Sequence, residues 1–485
     1  MEDFYVEKLK ERLRSLRGEV YTVSREVLAS ESSQRILDCV LLIIDAIEVS
    51  LPSPSDLEGL EEREKEIIIK RRSGLIVYIY QLLGIISSAN RKDVPLELIS
   101  PLTRYLKEFF EECHLLIRSV PALNYYFIPI REKLYEIYVS LEIEHKDNGV
   151  FCSETKIKEN PKYGELPAEF VILSIPKVEK NNILYNAILG HEIGHGIFKD
   201  HESEFLELDF EEIRRFGEIT VAENPEDFGV SSVGDLEEGI FEIMTGYLRE
   251  WREEVICDIA GFLLFGPAFL FAFFDLFAPV FKSDEFSTSH PPDRGRYNLM
   301  WKLLNGEYYP GIKYRSKVFK EKGIKEFLGV LESVGMVELE FQNEEGEKYN
   351  KAGLLTWRLI ERDIPSIVNT LTEIIRKRNI YGPSEFDADI KNYADYLANI
   401  IPIPEEMPLI EGSVPLSLPT ILNVGWYVCL ARLDGIVETQ NALKHPDKQV
   451  TKAEVFDKLQ EIILKSIELS DYKFLWELYR GQLEC

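Results

Sequence analysis

Cysteine, histidine and positive charge are all scarce in this 485-residue chain, and no apolar run exceeds sixteen residues. Each shortage excludes something. The six cysteines (Cys39, Cys113, Cys152, Cys257, Cys429 and Cys485) are scattered, with no CxxC spacing. They build neither a disulfide framework nor a four-cysteine zinc site, and they fit a reducing cytoplasm. With 56 basic against 84 acidic residues the net charge is −28. That balance argues against gripping a phosphate backbone, so no nucleic-acid partner is expected. The most apolar stretch, Ile259–Phe274, is shorter than the roughly 20 residues needed to cross a bilayer and contains Gly266-Pro267. A buried helix broken near Pro267 is expected there, with at most peripheral membrane contact. Met1-Glu2-Asp3-Phe4-Tyr5 has no basic segment leading into an apolar one, so no secretion signal is read. There is also no phosphate-binding glycine loop, nucleophile elbow, repeat or low-complexity tract.

Seven histidines are few, yet two of them stand four apart in His191-Glu192-Ile193-Gly194-His195. Helix residues advance by about 100°, so His191 and His195 lie nearly above one another. Both imidazoles can reach one Zn²⁺ at about 2.0–2.1 Å. Glu192, beside the first histidine, reaches water at the metal rather than the metal, where it can act as general base. Three fixed positions recur by chance, and the competing reading is an exposed helix with two ordinary histidines. The apolar approach from Asn182 to Gly190 argues for a buried helix instead, where such residues are costly without a metal or partners.

A catalytic zinc usually takes three protein ligands and keeps one open position. His201 lies ten residues after His191, the offset of the third histidine in HExxHxxGxxH. The helix-breaking glycine position holds Phe198, however, and on a continuous helix His201 would sit about 600° beyond His195. Glu254 is the better candidate. In Glu254-Val255-Ile256-Cys257-Asp258 the two acids share a helix face. Glu254 can bind a metal while Asp258 accepts the distal N–H of a ligating histidine. Glu253 and Glu250 are register alternatives, and Cys257 reads as core.

A third element is His290-Pro291-Pro292-Asp293-Arg294-Gly295-Arg296. The ordered set of HEIGH, ExxxD and His-Pro-Pro with an arginine beyond resembles the gluzincin peptidases. It is most similar to the soluble catalytic core of the CAAX prenyl protease and bacterial heat-shock membrane protease family, over roughly residues 165–300. The resemblance implies His191, His195 and Glu254 as ligands of Zn²⁺, Glu192 as base and Asp258 behind a histidine. It further implies His290 as oxyanion stabiliser and Arg296 as organiser of the site. Those relatives span membranes, so no prenylated or membrane substrate carries over.

The expected fold is mainly α with a small β-sheet, a zincin-like metallopeptidase core flanked by helical regions. Residues 1–150 read as helical, with buried helices around Ile36–Ile44 and Leu75–Leu83 and a solvated basic turn at Lys70-Arg71-Arg72. The core spans 151–300, where Glu169–Pro176 reads as a strand: the resemblance implies an exposed edge for extended substrate, and an ordinary strand within a sheet fits equally. The acidic stretch from His201 to Glu250 reads as a solvated loop, with a rim or lid over the site as the alternative. Residues 301–485 read as helical, with a hairpin at 337–346 and a proline-spaced connection from Pro402 to Pro419. Together these readings predict a cytoplasmic zinc peptidase acting on a peptide or protein. The other class is a regulatory or binding protein with a structural or residual metal site and helical docking regions.

Overall fold

Val6, Leu9, Leu13, Leu16, Val20 and Val23 recur at alternating intervals of three and four, which lays one apolar seam along a helix. That helix is α1 (Glu2–Ser24), and every residue of the seam is buried. It packs on α2 (Glu31–Val49) and α3 (Glu62–Ser87), the two helices expected from their apolar runs. A reciprocal pair of side-chain-to-backbone contacts between Glu61 and Glu64 starts α3. Arg72, expected in a solvated turn, is instead buried in α3.

The computed structural model describes residues 2–25, 31–49, 61–89, 96–107, 113–121, 126–129, 169–176, 182–206, 209–228, 238–277, 284–308, 317–335, 346–376, 380–404, 406–409, 412–443 and 449–483, with Leu51, Phe109, Lys313, Tyr314 and Phe341 between them. Two compact units result, Met1–Asn181 and Asn182–Cys485. The 150/151 division read from the sequence falls within the first unit and the 300/301 division within the second.

The first unit is not wholly helical. After α4 (Ile99–Lys107) come β1 (Cys113–Val120), β2 (Tyr126–Pro129) and β3 (Glu169–Pro176) in one small sheet. Two of these strands lie where the sequence reads as helix. Leu115, Leu116 and Ile117 form a continuous apolar run, which helix and buried strand share. β3 pairs with β1 in parallel and with β2 antiparallel. It is therefore the central strand, with its backbone engaged on both sides, so of the two readings the ordinary sheet strand holds and the free edge for substrate does not.

The second unit is built on α5 (Leu189–Asp200), which carries HEIGH, then α6 (Phe210–Glu223) and the 28-residue α7 (Glu238–Phe265). There follow α8 (Pro267–Phe277), α9 (Asp293–Leu304), α10 (Lys322–Gly335), α11 (Glu347–Arg376) and α12 (Pro383–Ala398). A hairpin of β4 (Glu406–Leu409) and β5 (Gly412–Pro415) lies within the proline-spaced stretch. The hairpin expected at 337–346 falls almost entirely outside the described residues. The chain ends in α13 (Leu418–Ala442), which contains a π-type turn at Val428–Arg432, and α14 (Lys452–Leu483). The architecture is mainly α with a small sheet, as expected.

α7 is the axis of this unit, with α5 on one side and α11 on another. Gly266, at φ +59°, ends α7, and Pro267 starts α8. The broken apolar helix is thus present, and it is buried: Phe262, Phe265, Phe269 and Phe271 are enclosed. The polar groups exposed by the break are met by one buried side chain. Asn423 donates to the Phe265 carbonyl at 2.8 Å and accepts from the Ala268 N–H at 2.9 Å. It satisfies the end of one helix and the start of the next, as buried backbone groups require. Among the described residues α13 alone is long and apolar enough to cross a membrane, and 67% of its most apolar window is buried inside the chain.

Candidate metal centre

Two glycines decide how closely α5 approaches α7. A Cβ on Gly190 would meet the Gly261 Cα at 2.8 Å, and one on Gly194 would meet the Cys257 Cα at 2.6 Å. Neither contact is sterically possible, so glycine at both positions lets the two backbones nearly touch. The spacing of four puts both on one face of α5, with His191 and His195 one residue further around. The close approach sets those histidines against Glu253, Glu254, Cys257 and Asp258 on α7.

Each imidazole meets carboxylates on two sides. His191 Nδ1 lies 2.9 Å from Asp258 Oδ1, and His195 Nδ1 lies 2.8 Å from Glu253 Oε1. Their Nε2 atoms face the two oxygens of Glu254, at 3.5 Å for His191 and 3.7 Å for His195. A carboxylate on each Nδ1 selects the tautomer that leaves Nε2 free for a metal. Ligands at about 2.0–2.2 Å around a tetrahedral zinc stand roughly 3.3–3.6 Å apart, close to the two separations here. The buried Glu254 Oε2 accepts no hydrogen bond, although Arg296 Nη2 lies 3.3 Å away. A buried carboxylate oxygen in that condition is costly unless a cation completes it.

Charge points the same way. Glu253, Glu254 and Asp258 oppose Arg296, which leaves two net negative charges while the imidazoles are neutral, before Glu192 is counted. Burial alone would raise the Glu254 pKa, yet His191, Arg296, His195 and His290 together hold it below the usual carboxylate range. Asp258 behaves alike: burial pushes it up, but Arg296 and His191 bring it down to about 2. Burial would lower the His195 pKa, and the neighbouring Cys257, Glu253 and Glu254 raise it instead. The cluster favours positive charge at its centre, whether protons or a divalent ion.

Of the remaining candidate residues, Arg296 and His290 lie 3.3 and 3.8 Å from a Glu254 oxygen, and His201 pairs elsewhere. Arg296, on α9, is buried and donates to both Asp258 oxygens, from Nε at 2.7 Å and Nη2 at 2.8 Å. It acts on the site through Asp258. His290 is 56% exposed, with Nε2 3.8 Å from Glu254 Oε1 and Nδ1 2.8 Å from Ser289 Oγ. Glu192 is buried on α5 between the two histidines. His201 caps α5 and pairs with Glu204 at 2.7 Å, apart from the cluster. Where it is described, the acidic stretch after it is helical and not a loop: single turns at Glu202–Phe205 and Pro225–Phe228, α6, and the first half of α7.

Two neighbours have roles other than those read from the sequence, where Glu253 is a register alternative to Glu254 and Cys257 is core. Glu253 is the partner of His195 Nδ1, and Cys257 is a second candidate for a third ligand. The ligating atoms of His191, His195 and Cys257 all lie within 4.8 Å of one another. The signal is present, since 253, 254, 257 and 258 repeat at the i, i+1, i+4, i+5 spacing of one broad helix face. Glu254 is favoured over Cys257 on geometry: its two oxygens face the two Nε2 atoms, whereas the Nδ1 atoms already have carboxylate partners. Comparison with protein-family models, with curated proteins and with solved structures gives no match.

Proposed function

We propose that this chain is a zinc-dependent peptidase of gluzincin type, with the ion held by His191, His195 and Glu254, acting on peptide or protein substrates in the cytoplasm. One observation carries the reading. Two carboxylate-backed imidazoles direct Nε2 at a single buried carboxylate whose Oε2 accepts no hydrogen bond, with Glu192 between them in the same helix. The ordered resemblance to gluzincins through His290 and Arg296 supports it.

Bound zinc supplies positive charge that polarises a scissile carbonyl and makes water more acidic. The protein's own groups do the rest. Glu192 takes the proton of the attacking water and delivers it to the leaving amine. His290, at the open side of the cluster, donates from Nε2 to the oxygen on which charge develops, an effect often worth about 3–4 kcal/mol per donor. Arg296 holds Asp258, Asp258 holds His191, and both imidazoles keep the tautomer the chemistry needs.

The second reading, a structural metal site in a regulatory or binding protein, rests on Cys257, which as an additional ligand would close the open position. Chelation separates activity from its absence. Hydrolysis of a labelled unstructured protein at neutral pH should disappear with a chelator and return with about one equivalent of zinc. Hydrolysis indifferent to chelation contradicts the proposal.

A further inference from the structure

The two imidazoles are not supported alike. Behind His191 stands Asp258, which has no exposed side-chain surface and is fixed by both Nε and Nη2 of Arg296. Behind His195 stands Glu253, whose carboxylate is 27% exposed, with His195 itself 26% exposed. Glu253 Oε1 lies 2.8 Å from His195 Nδ1, and that is a hydrogen-bond distance with one partner fixed in a helix. Glu253 precedes Glu254 directly, so one turn of α7 presents a carboxylate to each nitrogen of the same ring. Glu254 faces Nε2 and Glu253 faces Nδ1.

We infer that Glu253 is a positioning residue, which sets the tautomer and ring direction of His195 so that Nε2 faces the metal. The inference rests on the reading of His191, His195 and Glu254 as a metal site. Its physical content is orientation. An imidazole with a partner on Nδ1 has one N–H direction fixed, and the opposite nitrogen is left unprotonated and aimed. Without Glu253 the part-exposed ring of His195 keeps its contact with Cys257 but loses the carboxylate on Nδ1, and a metal must then fix the tautomer itself on binding. The anchored pair of Asp258 and Arg296 cannot take over, because it lies against the other ring. The same exposure separates positioning from stability. Removing Asp258 disturbs a closed ionic core, whereas Glu253 can be removed at the rim.

The test is zinc affinity of the full chain by competition with a chromophoric chelator, with apo melting temperature measured in parallel. Glu253→Ala should weaken zinc by about 10–100-fold with the apo melting temperature unchanged. Glu253→Gln keeps an acceptor for Nδ1–H and should fall between the alanine variant and the original chain. Equal affinity in all three chains overturns the inference. So does complete loss of binding in Glu253→Ala, as in Glu254→Ala, since Glu253 would then be a ligand. A shared drop in apo melting temperature for both variants would make Glu253 a structural residue and overturn it too. If the original chain binds no zinc at all, the failure lies with the metal site and not with Glu253.

Discussion

Replacing Glu192 by Gln should lower peptide hydrolysis by about 10²–10⁴-fold while the metal stays bound. The substitution keeps shape and volume and removes only the ability to accept a proton. Glu192 is buried on α5, one residue after His191, and shares its helix with both proposed imidazole ligands. In the HExxH arrangement its side chain reaches the water beside the metal and not the metal itself. Turnover and metal content should therefore separate cleanly. Turnover by Glu192→Gln equal to that of the original chain would remove Glu192 as base. Metal loss accompanying the substitution would place its carboxylate among the ligands.

The second large effect is on stability. Arg296→Ala should destabilise the apoprotein by about 3–5 kcal/mol, read from denaturant unfolding with a chelator present. Both oxygens of the enclosed Asp258 take hydrogen bonds from Arg296, at 2.7 and 2.8 Å. The guanidinium also lies over the Phe273 ring, 4.9 Å from its centroid, so its loss removes packing as well as charge. An uncompensated carboxylate in that core costs more than the intact pair gains, and Asp258→Asn combined with Arg296→Met should be milder than Arg296→Ala.

The pair also sets a pH dependence. Asp258 is depressed from 3.8 unfolded to about 2 folded. Its contribution is fully present above the unfolded value and is lost as pH falls through that value toward the folded one, by linkage. The apo stability of the original chain should fall in that acid window, and Arg296→Ala should flatten the fall. A loss under about 1 kcal/mol for Arg296→Ala, the range of an exposed pair, contradicts this account of the core.

The parts of the molecule legible in the sequence are those with a strong local period. HEIGH and the acids at 254 and 258 are helical spacings, and the structure brings them together across α5 and α7. The apolar run from Ile259 to Phe274 declares a buried helix, and Gly266-Pro267 declares where it breaks. The side chain that heals the break, Asn423, lies more than 150 residues away in sequence and carries no local mark.

Other features are hidden for different reasons. The role of Gly190 and Gly194 depends on which helix they face, and only packing against Gly261 and Cys257 reveals it. β1 and β2 are obscured because Leu115-Leu116-Ile117 suits a buried strand as well as a helix. β3 reads as a strand, but its central place in the sheet is set by partners more than 40 residues upstream. Glu253 reads as a register alternative to Glu254 because a sequence cannot say which nitrogen of His195 each carboxylate meets.

The most direct test of the centre is metal content per chain by mass spectrometry, for the original protein beside Glu254→Ala, Cys257→Ala and His201→Ala. The account predicts about one zinc per chain, lost in Glu254→Ala and kept in both of the others. Zinc retained in Glu254→Ala and lost in Cys257→Ala would contradict it, and would move the third ligand from the carboxylate to the Cys257 thiol.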